Sequence, residues 1–183
     1  KSVSTTHMLN RQAELYGLPL HETPVGFNHI SDLMRSNRVL IGGEESGGIS
    51  ILGHIPEGDG ILMGLLLLEV MAAYAAPMHE LVDKLLRDFG PVKYTRHDLR
   101  LDHPVEKAEL VRRLHHRAPD NIGHLSVKEL QTTDGVKYLL ENESWLLIRP
   151  SGTEPVLRVY AEGRSERDIE VLLDYGRAVS QSA

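Results

Sequence analysis

The amino-acid sequence predicts two domains of different class. The first is an α/β, three-layer-like domain with a mixed sheet and helices on both faces, and the second is an α+β domain with an antiparallel sheet and helices on one face. Helices and strands alternate through the first half of the chain, which is typical of α/β domains. Hairpin-spaced strands lie between two amphipathic helices in the second half. The length of 183 residues exceeds the most common size of one domain, about 100–150 residues.

Hydrophobic spacing and helix-ending residues define the elements of the first half. Gly17 and Gly90 end the first and last predicted helices, and Pro77 separates two helices. The apolar run Ile61–Leu68 is stopped by Glu69, and we predict that it belongs to a buried helix. The predicted elements are helices at 5–16, 28–36, 61–76 and 78–89 and strands at 39–41 and 49–54.

The polar stretch 91–102, which we predict to be extended, separates the two halves. We therefore predict a first domain at 1–90, a hinge or linker at 91–102 and a second domain at 103–183. Asp134-Gly135 is a hairpin-turn signal, and Ser165 with Asp168 predicts a capping box for the last helix. The other predicted elements are a helix at 104–117 and strands at 124–132, 136–141, 144–149 and 156–162.

Composition and charge exclude several classes of protein. Without cysteine, the chain has no disulfide scaffold, zinc knuckle, iron–sulfur cluster or thiol nucleophile. The net charge of −6 argues against nucleic acid or an anionic membrane as partner, because both attract a clustered basic excess. Ile61–Leu68 is shorter than the roughly 18–20 apolar residues that span a bilayer, and Lys1–Ser4 does not resemble a signal peptide. We expect a cytoplasmic protein.

A glycine-rich loop, Gly42–Gly48, lies between two apolar strands. Its glycines allow positive φ angles and a close approach of the backbone to a ligand. Glu44, Glu45 and Ser46 supply carboxylates and a hydroxyl, which are good partners for sugar hydroxyls. By composition alone, a solvated glycine turn with two surface acids is an equally good interpretation. Because the acids have no basic neighbours, direct phosphate binding is not expected here.

A second loop, Arg149–Pro155, also lies between predicted strands. A phosphate dianion requires a guanidinium group, small hydroxyl donors and exposed backbone N–H groups. Arg158 follows on the next strand and can join the site if the hairpin brings both arginines together. An ordinary hairpin with surface arginines is the alternative interpretation, and the coincidence of these residue types on one turn disfavours it. The residues that offer these groups are Arg149, Ser151, Gly152 and Thr153.

The two loops resemble the sugar-recognition and phosphate-binding loops of the α-D-phosphohexomutases, the phosphoglucomutase/phosphomannomutase superfamily. The resemblance rests on Gly43–Gly48 (GEESGG) and Arg149–Pro155 (RPSGTEP), which occur in the family's order. Asp59–Ile61 (DGI) and Thr23–Phe27 (TPVGF) match family segments near the first loop. The resemblance covers essentially the whole chain, as the third and fourth domains of the family.

The resemblance implies an intramolecular phosphotransferase that interconverts hexose 1-phosphate and hexose 6-phosphate through a phosphoserine enzyme and a hexose 1,6-bisphosphate intermediate. Glu44, Ser46 and Glu45 are implied to contact sugar hydroxyls. The loop from Arg149 to Thr153, with Arg158 as a further contact, is implied to bind the phosphate that is not being transferred. Phosphorylated hexose is the expected ligand. The loop form looks less like the phosphoglucosamine branch and does not choose between glucose and mannose.

Two parts of the family's machinery do not occur in this sequence. The phosphoserine motif belongs to the family's first domain, and the aspartate-rich loop that holds Mg²⁺ belongs to its second, so we expect neither a catalytic nor a metal-binding residue here. The implied partners are the missing N-terminal domains of the same enzyme, and the chain alone is expected to be inactive. Asn28 stands where many relatives carry a lysine, and His29 is the candidate substitute. His54 is a further possible contact, although a structural histidine is the simpler interpretation.

A noncatalytic module that binds phosphosugars or other anions through Arg149–Thr153 is the alternative function. This alternative predicts the same anion-binding turn, but it predicts no transfer of phosphate between two positions of a sugar.

Overall fold

The computed structural model describes residues 1–101, 105–152 and 154–181. The chain divides into two compact units, Lys1–Gly90 and Pro91–Ala183. The first unit contains α1 (Met8–Leu15), α2 (Phe27–Ser36), β1 (Ile41–Gly43), β2 (Ile49–Ile51), α3 (Gly60–Tyr74) and α4 (Met78–Phe89). The second contains β3 (Lys93–Arg100), α5 (Lys107–His116), β4 (Asn121–Ile122), β5 (Leu125–Gln131), β6 (Val136–Leu140), β7 (Trp145–Pro150), β8 (Val156–Gly163) and α6 (Glu166–Gln181).

The first unit contains one antiparallel pair of strands and, outside the named strands, one parallel bridge among its described residues. β1 and β2 pair antiparallel, with Gly42 opposite Ser50. Ser2 forms a parallel bridge with Thr23, and its N–H also reaches the carbonyl of Gly43 at 3.3 Å. The backbone at the start of the chain therefore joins the segment before α2 to the end of β1.

The prediction that the apolar run in α3 is buried is wrong for the described residues. No residue of α3 is buried, and Ile61, Leu65 and Leu68 are 81%, 59% and 60% exposed. A helix that is apolar on every side needs neighbours all around it, and the elements that pack on α3 are β2 and α4. No single described helix is long and apolar enough to cross a membrane; only α3 and α4 together, bent by 78°, have that length and composition.

The second unit is a six-stranded antiparallel sheet in the order β3-β8-β7-β6-β5-β4. Alternate residues of its central strands are apolar and fully buried, among them Tyr138, Ile148 and Val159. Leu110 of α5 and Leu172 of α6 belong to the same core. Side chains alternate between the faces of a strand, so this face carries both helices, as predicted, and the intervening residues lie on the other face.

The segment 91–102 is not a simple linker. Its residues 93–100 form β3, which pairs with β8 along its whole length, from Lys93 opposite Gly163 to Arg100 opposite Val156. A strand at the edge of a sheet can keep a polar, charged sequence because its backbone supplies the pairing bonds. The segment is extended, as predicted, but it is a strand of the second unit's sheet and not a separate linker. Asp102, at the end of the predicted linker, lies outside the described residues.

The predicted capping box of α6 is present. The N–H of Asp168 donates to Ser165 Oγ at 3.2 Å, and the N–H of Ser165 donates to Asp168 Oδ2 at 3.1 Å. The second bond reverses the direction of the first, so each residue satisfies a backbone donor of the other. His124 Nε2 lies 3.0 Å from Asp168 Oδ1 and so joins the cap to the start of β5.

Candidate functional site

The glycine-rich loop of the first unit is a tight turn that follows β1 directly. The N–H of Glu44 donates to the carbonyl of Gly48 at 2.9 Å, and the N–H of Gly47 donates to the carbonyl of Glu44 at 3.1 Å. Gly47 has a φ of 93°, a conformation that glycine adopts without strain. Glu45 and Ser46 form the tip, where Ser46 is exposed. The loop thus presents two of the three predicted sugar contacts, Glu45 and Ser46, at its tip on a fixed backbone.

The loop is held against the start of α2. Glu44 Oε1 accepts a hydrogen bond from the N–H of Gly26 at 2.8 Å. A Cβ atom built on Gly48 would lie 3.3 Å from Cδ2 of Phe27, so the phenyl ring packs closely on the loop. The segment Thr23–Phe27, which the sequence associated with this loop only by resemblance, is therefore its direct neighbour. One oxygen of Glu44 has a structural role in that contact.

His29 lies in the first turn of α2, beside the same segment. Its N–H donates to the carbonyl of Gly26 at 3.1 Å, and its Cδ2 lies 3.6 Å from the position of a Cβ built on Gly26. Asn28 is exposed at the start of the helix. The structure therefore places both His29 and Glu44 beside Gly26, within one local cluster.

His54 belongs to the N-terminal cap of α3. Its Nε2 lies 3.2 Å from Oδ2 of Asp59, and Oδ1 of Asp59 accepts hydrogen bonds from the N–H groups of Ile61 and Leu62 at 3.0 and 2.9 Å. The bond from Leu62, helped by His54 and Ile61, lowers the pKa of Asp59 from its ordinary value. This arrangement is the structural interpretation of His54 that the sequence left open.

The second loop is a short reversal between β7 and β8. The N–H of Ser151 donates to the carbonyl of Val156 at 2.8 Å, which closes the turn. Gly152 is exposed, and a Cβ built on it would meet nothing within 4 Å among the described residues. The backbone of the turn is therefore open to a ligand on that side. Thr153, the remaining predicted phosphate contact of this loop, lies outside the described residues.

Arg149 and Arg158 face each other directly across β7 and β8. Their side chains are only 13% and 25% exposed, and both lie on the face of the sheet opposite the helices. Arg158 Nη2 lies 3.7 Å from Oε2 of Glu154, and its Nε lies 4.0 Å from Oδ2 of Asp98. Among the described residues, that buried Nε has no hydrogen-bond partner. The predicted meeting of the two arginines is thus present in the strand register.

Asp98 is the carboxylate nearest to the arginine pair on β3. It accepts two hydrogen bonds of 2.7 Å from Nε and Nη2 of Arg96. This pairing, with a smaller contribution from Arg158, lowers the pKa of Asp98 from its ordinary value. Asp98 is therefore committed mainly to Arg96, and it offsets the charge of Arg158 only from a distance.

A carboxylate that the sequence analysis used only as a turn signal also belongs to the site. Asp134 is buried, with a side chain 5% exposed, and its Oδ2 accepts a hydrogen bond from Nε of Arg149 at 3.0 Å. Its Oδ1 accepts from Nζ of Lys107 on α5 at 2.5 Å. Aligning the two hairpins by their strand spacing could have found this contact, because Val136 pairs with Ile148. Nothing in the sequence pointed to Lys107.

This arrangement is suited to binding a dianion. Like charges directly opposite each other on antiparallel strands repel, and an anion beside Arg149 and Arg158 would relieve that repulsion. Guanidinium groups form strong, charge-assisted hydrogen bonds to phosphate oxygens. The turn adds two further groups that could contact the anion, the backbone of Gly152 and the side chain of Ser151. The site does not offer a divalent metal a comparable arrangement. Among the described residues, no group of three or more histidine and carboxylate side chains could hold an ion.

Comparison with known proteins assigns the two units to successive domains of one family. Residues 1–89 match "Phosphoglucomutase/phosphomannomutase, alpha/beta/alpha domain III", and residues 102–175 match "Phosphoglucomutase/phosphomannomutase, C-terminal domain". The chain belongs to the phosphoglucomutase/phosphomannomutase family. The resemblance stated from the two loops is thereby confirmed, together with the fold class of an α/β domain followed by an α+β domain.

Proteins with three different printed names are similar in sequence to this chain. It is 26% identical over 182 residues to a phosphoglucomutase/phosphomannomutase of Thermococcus kodakarensis, covering 100% of the chain and 37% of the relative. It is 33% identical over 160 residues to a phosphoglucosamine mutase of Methanocaldococcus jannaschii, covering 84% and 32%. A crystal structure of a putative phosphomannomutase from Thermus thermophilus superposes with a TM-score of 0.75 and 32% identity, covering 98% of the chain and 35% of that structure.

The chain spans about a third of the length of these relatives. The family models that it matches are those of domain III and the C-terminal domain. The magnesium that the family implies does not fit the described residues, which offer no cluster of ligands for it.

Proposed function

We propose that this chain supplies sugar and phosphate recognition to a phosphohexomutase. In the complete reaction, a phosphoserine outside this chain would give its phosphoryl group to a hexose phosphate. The resulting hexose 1,6-bisphosphate would turn around and return the other phosphate to the serine. Phosphoryl transfer depends on positioning and on stabilising charge rather than on covalent chemistry by many residues. The part assigned to this chain is to hold the substrate in both orientations.

The observation that carries the proposal is the pairing of Arg149 with Arg158 beside the turn at Ser151. Two arginines with limited exposure, placed opposite each other, leave a net positive position that a phosphate can occupy. Because the intermediate presents first one phosphate and then the other, the site that holds the non-reacting end must recognise phosphate itself, whichever carbon carries it. Arg149, Ser151, Gly152, Thr153 and Arg158 are the proposed phosphate contacts.

The proposed sugar contacts are in the other unit. Glu44 and Ser46, with Glu45 beside them, supply acceptors and a donor for the hydroxyls of the ring. A single carboxylate oxygen has two lone pairs, so it can accept hydrogen bonds from two neighbouring hydroxyls of a sugar. Glu44 Oε1 is already engaged by Gly26, which leaves Oε2 as the proposed acceptor. His29, next to the same glycine, is a further proposed contact. Because the relatives include phosphoglucosamine mutases, an amino sugar joins glucose and mannose as a candidate substrate.

Calorimetric titration of the chain tests the proposal. Glucose 1-phosphate, mannose 1-phosphate and glucosamine 1-phosphate are each titrated, with inorganic phosphate and free glucose as controls. At least one hexose phosphate should bind more tightly than inorganic phosphate and compete with it. Binding of inorganic phosphate with equal affinity would favour the noncatalytic anion-binding module. If no phosphorylated ligand binds, the proposed recognition is wrong.

The proposed division of labour also predicts that the chain alone does not interconvert hexose phosphates. The rate of conversion of glucose 1-phosphate to glucose 6-phosphate, measured by coupled oxidation of the product, should equal the rate in buffer without protein. Turnover at an enzyme-like rate would contradict the placing of the nucleophile outside this chain.

A further inference from the structure

Asp134 lies between two cations that come from different elements. Its Oδ2 accepts from Nε of Arg149 at 3.0 Å, and its Oδ1 accepts from Nζ of Lys107 at 2.5 Å. The Asp134 side chain is 5% exposed and that of Arg149 is 13% exposed, whereas Lys107 is 51% exposed. The carboxylate is therefore buried between a largely buried arginine and a half-exposed lysine.

The backbone on which Asp134 lies is fixed against the end of β7. Gly135 has a φ of 85°. A Cβ built on it would lie 2.4 Å from the carbonyl oxygen of Ile148 and 2.6 Å from Cβ of Arg149. Only glycine fits that close approach in that conformation. The hairpin turn between β5 and β6 is thus pressed against the residue that it contacts through Asp134.

We propose that Asp134 is a positioning residue, which orients Arg149 for phosphate binding, with Lys107 balancing its charge. This inference rests on the proposed function of Arg149 as a phosphate contact. A guanidinium group has five N–H donors in a rigid, planar fork. The bond to Asp134 uses Nε, so the two terminal nitrogens of Arg149 take no part in it. The arginine is therefore held from one side while its terminal nitrogens stay available for a ligand.

If Asp134 acted on phosphate only through its charge, removing that charge would change phosphate affinity in the opposite direction. A carboxylate close to an anion site repels the anion, so removing its charge should strengthen phosphate binding, most of all at low salt. Lys107 opposes that repulsion because it neutralises the carboxylate from the far side. If orientation dominates, removing the Asp134 contact instead weakens binding, because the long arginine side chain must then be immobilised by the ligand. The direction of the change therefore distinguishes the two effects.

A double-mutant cycle on inorganic phosphate binding tests the proposal. The chain, Asp134→Asn, Arg149→Ala and the double variant are titrated calorimetrically at one salt concentration. We expect Asp134→Asn to weaken binding about three- to tenfold, the size of immobilising one flexible side chain. In the Arg149→Ala background, the same substitution should change the affinity by less than about twofold, because a positioning residue acts only through its partner.

Three results would overturn the proposal. Asp134→Asn could bind phosphate as well as or better than the unmodified chain, or it could weaken binding equally with and without Arg149, as a general structural defect would. If Arg149→Ala itself binds phosphate normally, the proposed phosphate contact fails, and the positioning role fails with it. The first two results leave the Arg149 contact standing, so the two failures are distinguishable.

Two further variants guard against trivial explanations. Lys107→Met should weaken phosphate binding less than Asp134→Asn, because it leaves the Asp134–Arg149 bond in place; a larger loss would overturn the proposed order of roles. Glu143→Gln is the matched control, since Glu143 lies in the turn between β6 and β7, at the opposite end of β7 from Arg149, and pairs with Arg164. It should leave phosphate affinity unchanged, and a loss equal to that of Asp134→Asn would show that any carboxylate–arginine pair of this unit has the same effect.

Discussion

Arg149 on β7 and Arg158 on β8 occupy directly opposed positions of an antiparallel pair, on the face of the sheet that carries no helix. Adjacent carboxylates compensate each of them unequally. Arg149 has a close hydrogen bond to Asp134, whereas the nearest carboxylate oxygens to Arg158 lie at 3.7 and 4.0 Å. The charge of Arg158 is therefore less well compensated than that of Arg149, and a bound anion would stabilise Arg158 more.

Replacing Arg158 should distinguish the effect of the arginine pair on stability from its effect on phosphate binding. In phosphate-free buffer, we expect Arg158→Gln to raise the free energy of unfolding by up to about 1 kcal/mol, because opposed like charges destabilise a sheet. The increase in melting temperature that phosphate produces should become smaller, because the stabilisation of the folded state by a ligand at fixed concentration grows with the logarithm of its affinity. Thermal unfolding with and without phosphate measures both effects.

Arg177→Gln on α6 is the control for Arg158→Gln, since Arg177 is half exposed and pairs with Asp174 on its own helix. It should leave the phosphate-induced gain unchanged. A phosphate-induced gain in Arg158→Gln equal to that of the unmodified chain would contradict the role of Arg158 in anion binding.

Variants of Glu44 should affect sugar recognition and phosphate recognition differently. Glu44→Gln keeps an oxygen that can accept from the N–H of Gly26 but removes the charge offered to sugar hydroxyls. We expect it to weaken hexose phosphate binding about tenfold, the size of one charge-assisted hydrogen bond. Glu44→Ala should weaken it further, because the contact with Gly26 is also lost. Calorimetry with a hexose phosphate and with inorganic phosphate gives the comparison.

Neither Glu44 variant should change the affinity for inorganic phosphate. Glu57→Gln, an exposed carboxylate in the connection between β2 and α3, is the matched control and should leave both ligands unaffected. Equal losses for hexose phosphate and inorganic phosphate in Glu44→Gln would refute the separation of the two recognition roles.

The cap of α3 predicts a pH-dependent contribution to stability. The pKa of Asp59 in the folded chain lies below its ordinary value of 3.8, chiefly because of the hydrogen bond from Leu62. A lowered carboxyl pKa stabilises the folded state above the unfolded pKa, and this contribution is lost as the pH falls through the folded pKa. Asp59→Asn keeps a side chain that caps helices but has no charge to lose.

Urea unfolding of the chain and of Asp59→Asn, from about pH 6 down to about pH 2.5, measures this contribution. The stability advantage of the aspartate should be constant at the upper end and shrink below pH 3.8. Asp174→Asn is the control, because Asp174 is exposed and caps no helix. A pH-independent difference for Asp59→Asn, or an equal fall in the control, would contradict the proposed cap effect.

Local patterns predicted the second unit well. The capping box at Ser165 and Asp168 and the hairpin at Asp134-Gly135 depend on residues a few positions apart, and the structure contains both. The edge strand β3 was predicted to be extended but was assigned to a linker, because a strand that pairs through its backbone at the edge of a sheet does not need the apolar alternation by which strands are found. Its partner, β8, lies more than fifty positions later in the chain.

The candidate site could be predicted in its residue types but not in its supporting contacts. Arg149 and Arg158 were found because both flank one short turn. Asp134 was assigned to a turn, and its bond to Arg149 depends on how two hairpins align side by side. Lys107 comes from a helix, and no spacing rule connects it with Asp134. Likewise, the exposure of α3 depends on which neighbours surround the helix, and its uniform apolar composition does not contain that information.

The affinity of the chain for inorganic phosphate, with and without the guanidinium of Arg149, tests the central claim most directly. Isothermal titration of the unmodified chain, Arg149→Ala and Arg149→Lys should show binding that falls at least about tenfold in the alanine variant. The lysine variant should recover only part of that loss, because an ammonium group lacks the planar fork. Equal phosphate affinity in all three proteins would contradict the assignment of the turn at Arg149 as the phosphate site.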